Sequence, residues 1–485
     1  MEIKELKPQA LWKNFAALNA IPRASKKEEE VIAFAKAFGE NLGLETKVDA
    51  VGNVIIKKPA TAGMENRCTV ALQSHLDMVH QKNADTDFDF ATQGIEMYVE
   101  GDWVKAKGTT LGADNGIGVA AIMALLESKD IPHPPLEALF TIDEETGMTG
   151  AKGLVGGLLQ ADILLNLDTE EDDELTVGCA GGVDVTATGT YEPEDLPTGY
   201  ATYQLTVKGL AGGHSGMDIH LGRGNANKLL TRLLYELARG LEIRLASFDG
   251  GSLRNAIPRE ASAVIATRQL NEAQLQTAVE EWKAIFIQEH KTTDPNFELL
   301  VEAVEGVTSL TPEAFQQQFI AGLYAAPNGI YRMSADMEDL VQTSNNLARV
   351  SLAEGEYEVL CLTRSAVDSE KQDHANMLKI IFEMMGAEVT LSGSYPGWTP
   401  NLEAKIIKVM QEIYRALFEE EPHVYAGHGG LECGLIGEHY PAMEMISFGP
   451  NIRGAHSPDE RVQISSVQKF WRYLLATLEQ IPASI

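Results

Sequence analysis

Cysteine, positive charge and long apolar runs are all scarce in this sequence, and each shortage excludes something. Four cysteines, Cys68, Cys179, Cys361 and Cys433, are spread over 485 residues. No two form a C-x-x-C pair, so neither a thiolate zinc knuckle nor a disulfide framework is expected. Lys+Arg total 39 against 70 Asp+Glu, a formal net charge of −31. A surface of that sign repels phosphate, so no nucleic-acid partner and no membrane partner is expected. No stretch approaches the roughly 18 uninterrupted apolar residues that a membrane helix needs. The opening residues, MEIKELKPQALWKNF, lack the basic start and apolar run of a secretory signal, so the chain is expected to be cytoplasmic. There is no low-complexity segment.

What is present is ordinary for a globular chain: 44% hydrophobic and 22% charged residues, enough for a large core. The length predicts two to four domains. Short apolar strands (NVIIKK, TVALQSHLD, LEALFTIDEE, DILLNLD) alternate with helical stretches such as GIGVAAIMALLES. This rhythm predicts an α/β domain with a mostly parallel sheet covered by helices on both faces. Ser25 followed by Glu28 has the spacing of a capping box before EEVIAFAKAFGENL. Near Tyr191 the style changes. YEPEDLPTG is rich in turn residues, and YATYQLTVKG then alternates apolar and polar positions. Residues 191–395 are expected to form an inserted region of two α+β lobes. Residues 1–190 and 396–485 then make up the first domain.

Five places put metal-type ligands beside turn residues: Ser74-His75-Leu76-Asp77, Thr110 to Gly118, Thr141 to Gly147, Asn166 to Glu170 and Gly454 to Glu460. His75 and Asp77, two apart on a strand, face the same side. The carboxylate can then hold the second nitrogen of the imidazole. Asp114 sits among glycines that let the backbone turn sharply before a helix. The neighbours Glu144 and Glu145 repel each other unless a cation or a proton compensates. Singly these signals are weak. Together they fall at strand ends or glycine loops, where an α/β sheet has its ligand crevice. Oxygen and nitrogen donors without thiolate suit zinc, with manganese or cobalt as substitutes. Two ions sharing a water lower its pKa and polarise a carbonyl. Such water needs a base that is not a ligand, and the Glu144-Glu145 doublet can supply one of each.

At these residues, and in the stretches LQSHLDMV, KGTTLGADNGIG, GGHSG, LRNAIPRE, GLECGL and AHSPDE, the sequence resembles the co-catalytic dizinc metallopeptidases. That family includes glutamate carboxypeptidase, peptidase T and aminoacylase. The resemblance runs through essentially the whole chain and is strongest to the family's bacterial dipeptidases. It implies two Zn2+ per chain, with His75, Asp114 and Asp168 at one ion and Glu145 and His456 at the other. Asp114 is the implied bridge, Asp77 the carboxylate that orients His75, and Glu144 the general base. It also implies that residues 191–395 are a lid, in which His214 of GGHSG stabilises the oxyanion. The implied substrate is a small peptide, an Xaa-His dipeptide including carnosine-like ones, and a homodimer through the lid is implied as well.

A dipeptidase also needs a group for the substrate carboxylate, and the planar fork of arginine matches it. Two pairs are candidates: Asn255 with Arg268, and Asn346 with Arg364. Arg364 is favoured, because a lid reaching over its own site would use both lobes. Glu432 of GLECG faces either the substrate's amino group or the protein interior. The rival readings are a tripeptidase, a carboxypeptidase or an N-acyl-amino-acid deacylase of the same family, and, more remotely, a non-catalytic binding protein on the same fold.

Overall fold

The computed structural model describes residues 2–484. The chain forms two compact units. One runs to Gly178 and resumes over Trp398–Ala426 and from Leu431; the other is Cys179–Gly397 with Gly427–Gly430.

The first unit is built on an eight-stranded sheet. At its centre Leu136–Thr141, Val70–His75, Ile163–Asn166 and Glu444–Ser447 run parallel. Antiparallel strands Glu45–Val48 and Val54–Lys58 close one side. Every residue of the first three central strands is buried, which is why they read as nearly continuous apolar runs. The helix Ala113–Glu127 is buried along almost its whole length and packs on helix Gln9–Leu18 and strand Val70–His75. Its Gly118 permits that approach: a Cβ there would lie 2.4 Å from Ser74 Oγ. Because the central strands are parallel, His75, the turn after Thr141 and the turn after Asn166 all lie at the C-terminal ends of neighbouring strands. The α/β class expected from the sequence is the one observed.

The second unit carries a nine-stranded antiparallel sheet. Helices Ala226–Gly240, Glu272–His290, Glu313–Ala325 and Asp368–Met384 contribute to a single apolar core against it. In the first of these, Leu230, Leu233, Leu234 and Leu237 give the helical spacing of the buried face. Two details depart from the sequence reading. The unit starts before Tyr191, because Gly181–Thr190 is already a strand paired with Glu356–Ser365. The two α+β halves share one continuous sheet, joined where Phe248–Gly251 pairs with Arg349–Leu352.

Candidate active site

In the first unit the strand ends and glycine loops bring the sequence candidates together. His75 Nε2 lies 3.2 Å from Asp114 Oδ1 and 3.5 Å from Asp168 Oδ1. His456 Nε2 lies 3.3 Å from Asp114 Oδ2 and 2.9 Å from Glu145 Oε2. Asp114 therefore turns one carboxylate oxygen toward each imidazole. One ligand atom each from His75, Asp114 and Glu145 falls within 4.8 Å of the others. Glu145 Oε1 and Asp168 Oδ1 are buried and have no hydrogen-bond partner, which is costly for a carboxylate unless a cation compensates. The donors are all oxygen and nitrogen, so the residues present fit a divalent metal.

Asp77 does two jobs. His75 Nδ1 lies 3.2 Å from the Asp77 backbone carbonyl and 3.4 Å from Asp77 Oδ1, so Asp77 faces the inner side of the ring. It also receives the backbone N–H of Glu144 at 3.0 Å and of Glu145 at 3.3 Å, fixing the doublet to the strand that carries His75. Ser25 and Glu28 join this arrangement. Ser25 Oγ donates to Asp77 Oδ2 at 2.8 Å, and Glu28 Oε1 accepts from the backbone N–H of Asp143 at 3.1 Å. The capping box is thus overturned. Helix Glu29–Asn41 has no side-chain cap, because tertiary hydrogen bonds claim both polar groups. Glu28, Asp77 and Asp143 form a second close acidic group, but hydrogen bonds occupy it: Asp143 takes the hydroxyls of Thr146 and Thr149, and Glu28 the N–H of Lys26.

The electrostatics follow from crowding acids in a buried place. Burial raises the Glu144 carboxyl well above its ordinary range, and Asp168, Glu145 and Glu432 add to this against the opposing effect of His75. Burial opposes a charge on His75, yet Asp168, Asp114 and Asp77 hold it well above the usual imidazole value. Burial, then Asp114 and Asp168, push Glu170 up to about 8. A cation at this place relieves the repulsion.

Glu432 is fully buried in the same unit. Its Oε2 accepts from Gln73 Nε2 and from Thr141 Oγ1, both at 2.6 Å, and so ties two central strands together. Burial pushes it up to about 7.

The second unit places the remaining candidates. His214 pairs with Ala256 in a short two-stranded ladder. Its Nδ1 accepts the backbone N–H groups of Gly216 at 3.2 Å and Met217 at 3.0 Å, which leaves the proton on Nε2. The exposed Asn255 lends its carbonyl to the N–H of Ser215 at 2.7 Å. Asn346 Nδ2 donates to the carbonyls of Arg254 at 3.0 Å and Ala256 at 2.8 Å. Its amide therefore holds the turn that carries Asn255. Arg364 is 4% exposed and donates through Nη1 to the Tyr395 hydroxyl at 2.9 Å, while its Nε has no hydrogen-bond partner. Arg268, in contrast, is exposed and pairs with Glu242 at 2.9 Å.

The model of peptidase family M20/M25/M40 matches residues 71–480. The chain belongs to that family, as the motifs of the sequence imply. It is similar to the cytosol non-specific dipeptidase of Escherichia coli strain K12, with 45% identity over 482 residues and 99% of each chain covered. Among solved structures it is similar to aminoacylhistidine dipeptidase from Vibrio alginolyticus, with TM-score 0.93, 47% identity, and 99% of this chain and 98% of that one covered. The aminopeptidase PepT of Bacillus cereus, at TM-score 0.58 and 16% identity, covers 98% of this chain and 99% of its own, and shares the fold.

Proposed function

We propose that this chain is a dizinc dipeptidase that cleaves dipeptides with free amino and carboxyl ends, Xaa-His dipeptides and carnosine-like substrates among them. The observation that carries this reading is Asp114, whose two oxygens face two different imidazoles with the Glu144–Glu145 doublet alongside. His75, Asp114 and Asp168 would hold one ion, and Asp114, Glu145 and His456 the other, with manganese or cobalt able to substitute for zinc. When bound, such ions supply Lewis acidity that lowers the pKa of water and polarises a carbonyl.

The chain's own residues do the rest. Glu144, held by Asp77 through its backbone N–H, takes the proton from the attacking water and returns it to the leaving amine. A carboxylate held by that backbone contact is a suitable proton carrier for both steps. His214, with its proton fixed on Nε2, donates to the developing oxyanion. Arg364 binds the substrate carboxylate, since it is buried with an unpartnered Nε, whereas Arg268 is exposed and paired. Asn255 stays a substrate contact in this reading; Asn346 and Glu432 hold the scaffold. The names of the E. coli and Vibrio relatives support the dipeptide, and the first also supports a cytoplasmic location. A homodimer through the second unit completes the reading, tested by the mass in solution.

The deciding experiment measures metal per chain and turnover on an Xaa-His dipeptide, an Ala-Ala dipeptide, a tripeptide and an N-acetyl amino acid, before and after chelation. The expected result is two metals, dipeptide hydrolysis lost on chelation, and little cleavage of the other two. Equal or faster turnover of the N-acetyl amino acid overturns the choice of dipeptidase over deacylase. Comparison of the two dipeptides shows how narrow the preference for histidine is.

A further inference from the structure

We propose that Glu460 is a positioning residue that fixes Asp114 relative to His456 and so sets the geometry in which one carboxylate serves two metal ions. The inference rests on the reading of Asp114 and His456 as ligands. Glu460 is 3% exposed. Its Oε2 accepts the backbone N–H groups of Leu111 at 2.6 Å and Gly112 at 2.9 Å. Its Oε1 accepts those of Ala113 at 2.7 Å and Asp114 at 3.2 Å. Four successive amides thus converge on one carboxylate. They belong to the loop that leads into the helix ending at Glu127, in which Asp114 and Asn115 still have non-helical backbone angles, so the carboxylate holds a loop as well as a helix start.

Capping alone does not require a carboxylate from so remote a part of the chain. Glu460, however, leaves the same turn as His456. That turn closes on itself through Ser457 N–H to the Gly454 carbonyl at 3.2 Å and Glu460 N–H to the Ser457 carbonyl at 3.0 Å. Gripping residues 111–114 therefore locks the loop of Asp114 to the loop of His456.

The opposite side of the loop is held by Arg23, 1% exposed. Its Nη2 donates to the Gly112 carbonyl at 2.6 Å, and its Nη1 donates to the carbonyls of Leu76 and Asp77, each at 3.0 Å. A buried anion thus takes the N–H groups of the loop, and a buried cation takes a carbonyl and passes the constraint to the strand end of His75. Gly112 has φ +68, and a Cβ there would lie 2.3 Å from Arg23 Nη2, so a larger residue would break the grip. Sites of this kind need their first contacts held to within roughly 0.5 Å.

The test uses the full-length enzyme with Glu460→Gln and Glu460→Asp. Glutamine keeps the shape but turns an NH2 donor toward backbone donors; aspartate keeps two acceptors on a shorter stem. The expected outcome for Glu460→Gln is an unchanged circular dichroism spectrum, zinc affinity weakened about 10- to 100-fold in chelator competition, a shifted visible spectrum of the Co2+-loaded protein, and a fall in kcat with KM nearly constant. Glu460→Asp should recover part of each loss. Parent affinity and a parent cobalt spectrum in Glu460→Gln overturn the proposal, because a simple helix cap would leave both unmoved. If Glu460→Gln does not fold, Glu460→Asp decides in the same way: unchanged zinc affinity overturns it. A parent enzyme that binds no zinc pair would instead defeat the functional reading itself.

Discussion

In the first unit His75, Asp114, Glu145 and Asp168 stand at the ends of buried parallel strands and beside a buried helix, with Asp77 holding both an imidazole and the Glu144–Glu145 backbone. In the second, His214, Asn255, Asn346 and Arg364 stand on an antiparallel sheet and its turns, held mostly by neutral hydrogen bonds. The first region crowds like charges in a buried place. The second presents single donors, each to be judged by whether its polar atoms are already engaged. Residue type together with position at a strand end or glycine loop picks out the clustered acids and imidazoles of the first region. In the second, residue type does not suffice: Asn346 and Asn255 look alike in sequence, yet one amide is consumed by backbone carbonyls and the other is exposed.

Substitutions can break this contrast. Glu144→Gln should keep its metal and lose about 1000-fold or more in kcat, measured by dipeptide hydrolysis beside metal analysis. A variant keeping more than about a tenth of the parent rate would remove Glu144 from the role of base. His214→Ala should lose about 100- to 1000-fold in kcat with little change in KM; a loss confined to KM would make it a ground-state contact. Arg364→Ala should raise KM about 10- to 100-fold, the value of a charged hydrogen bond, and Arg268→Ala by less than about threefold. The reverse ranking would move carboxylate recognition to Arg268.

The central strands were legible because burial on both faces leaves them nearly uniformly apolar, and the convergence of His75, Asp114, Glu145, Asp168 and His456 because they fall at turns after such strands or in glycine loops. Ser25 and Glu28 misled for a physical reason. Their spacing is that of a cap, but Asp77 and the Asp143 N–H offered better-buried partners. Arg23 and Glu460 went unassigned because their bonds join residues distant in sequence, which no local pattern encodes. The available signal for Glu460 was a second acid closing the turn of His456 just before a short strand. The early start of the second unit at Cys179 was hidden because only the short GCAGG stretch joins strand Glu174–Cys179 of the first sheet to strand Gly181–Thr190 of the second, whereas the longer turn-rich segment comes after Tyr191.

The smallest effect tests whether the second unit depends on keeping one buried imidazole neutral. His428 is 5% exposed and shares a hydrogen bond of 2.7 Å between Nε2 and Ser344 Oγ. Burial, and then Arg364, push its imidazole down to about 3, against about 6.5 in an unfolded chain. Between those values the unfolded chain binds the extra proton, so stability rises with pH through that window and is flat above it. Acidification below about pH 6.5 should therefore cost up to about 1.4 kcal/mol per pH unit from this residue. Urea midpoints of the full chain at pH 7 and pH 5 check it. His428→Gln should lose less stability over that step than the parent does. An equal loss would place the acid sensitivity elsewhere and leave the second unit no more dependent on neutral groups than the first.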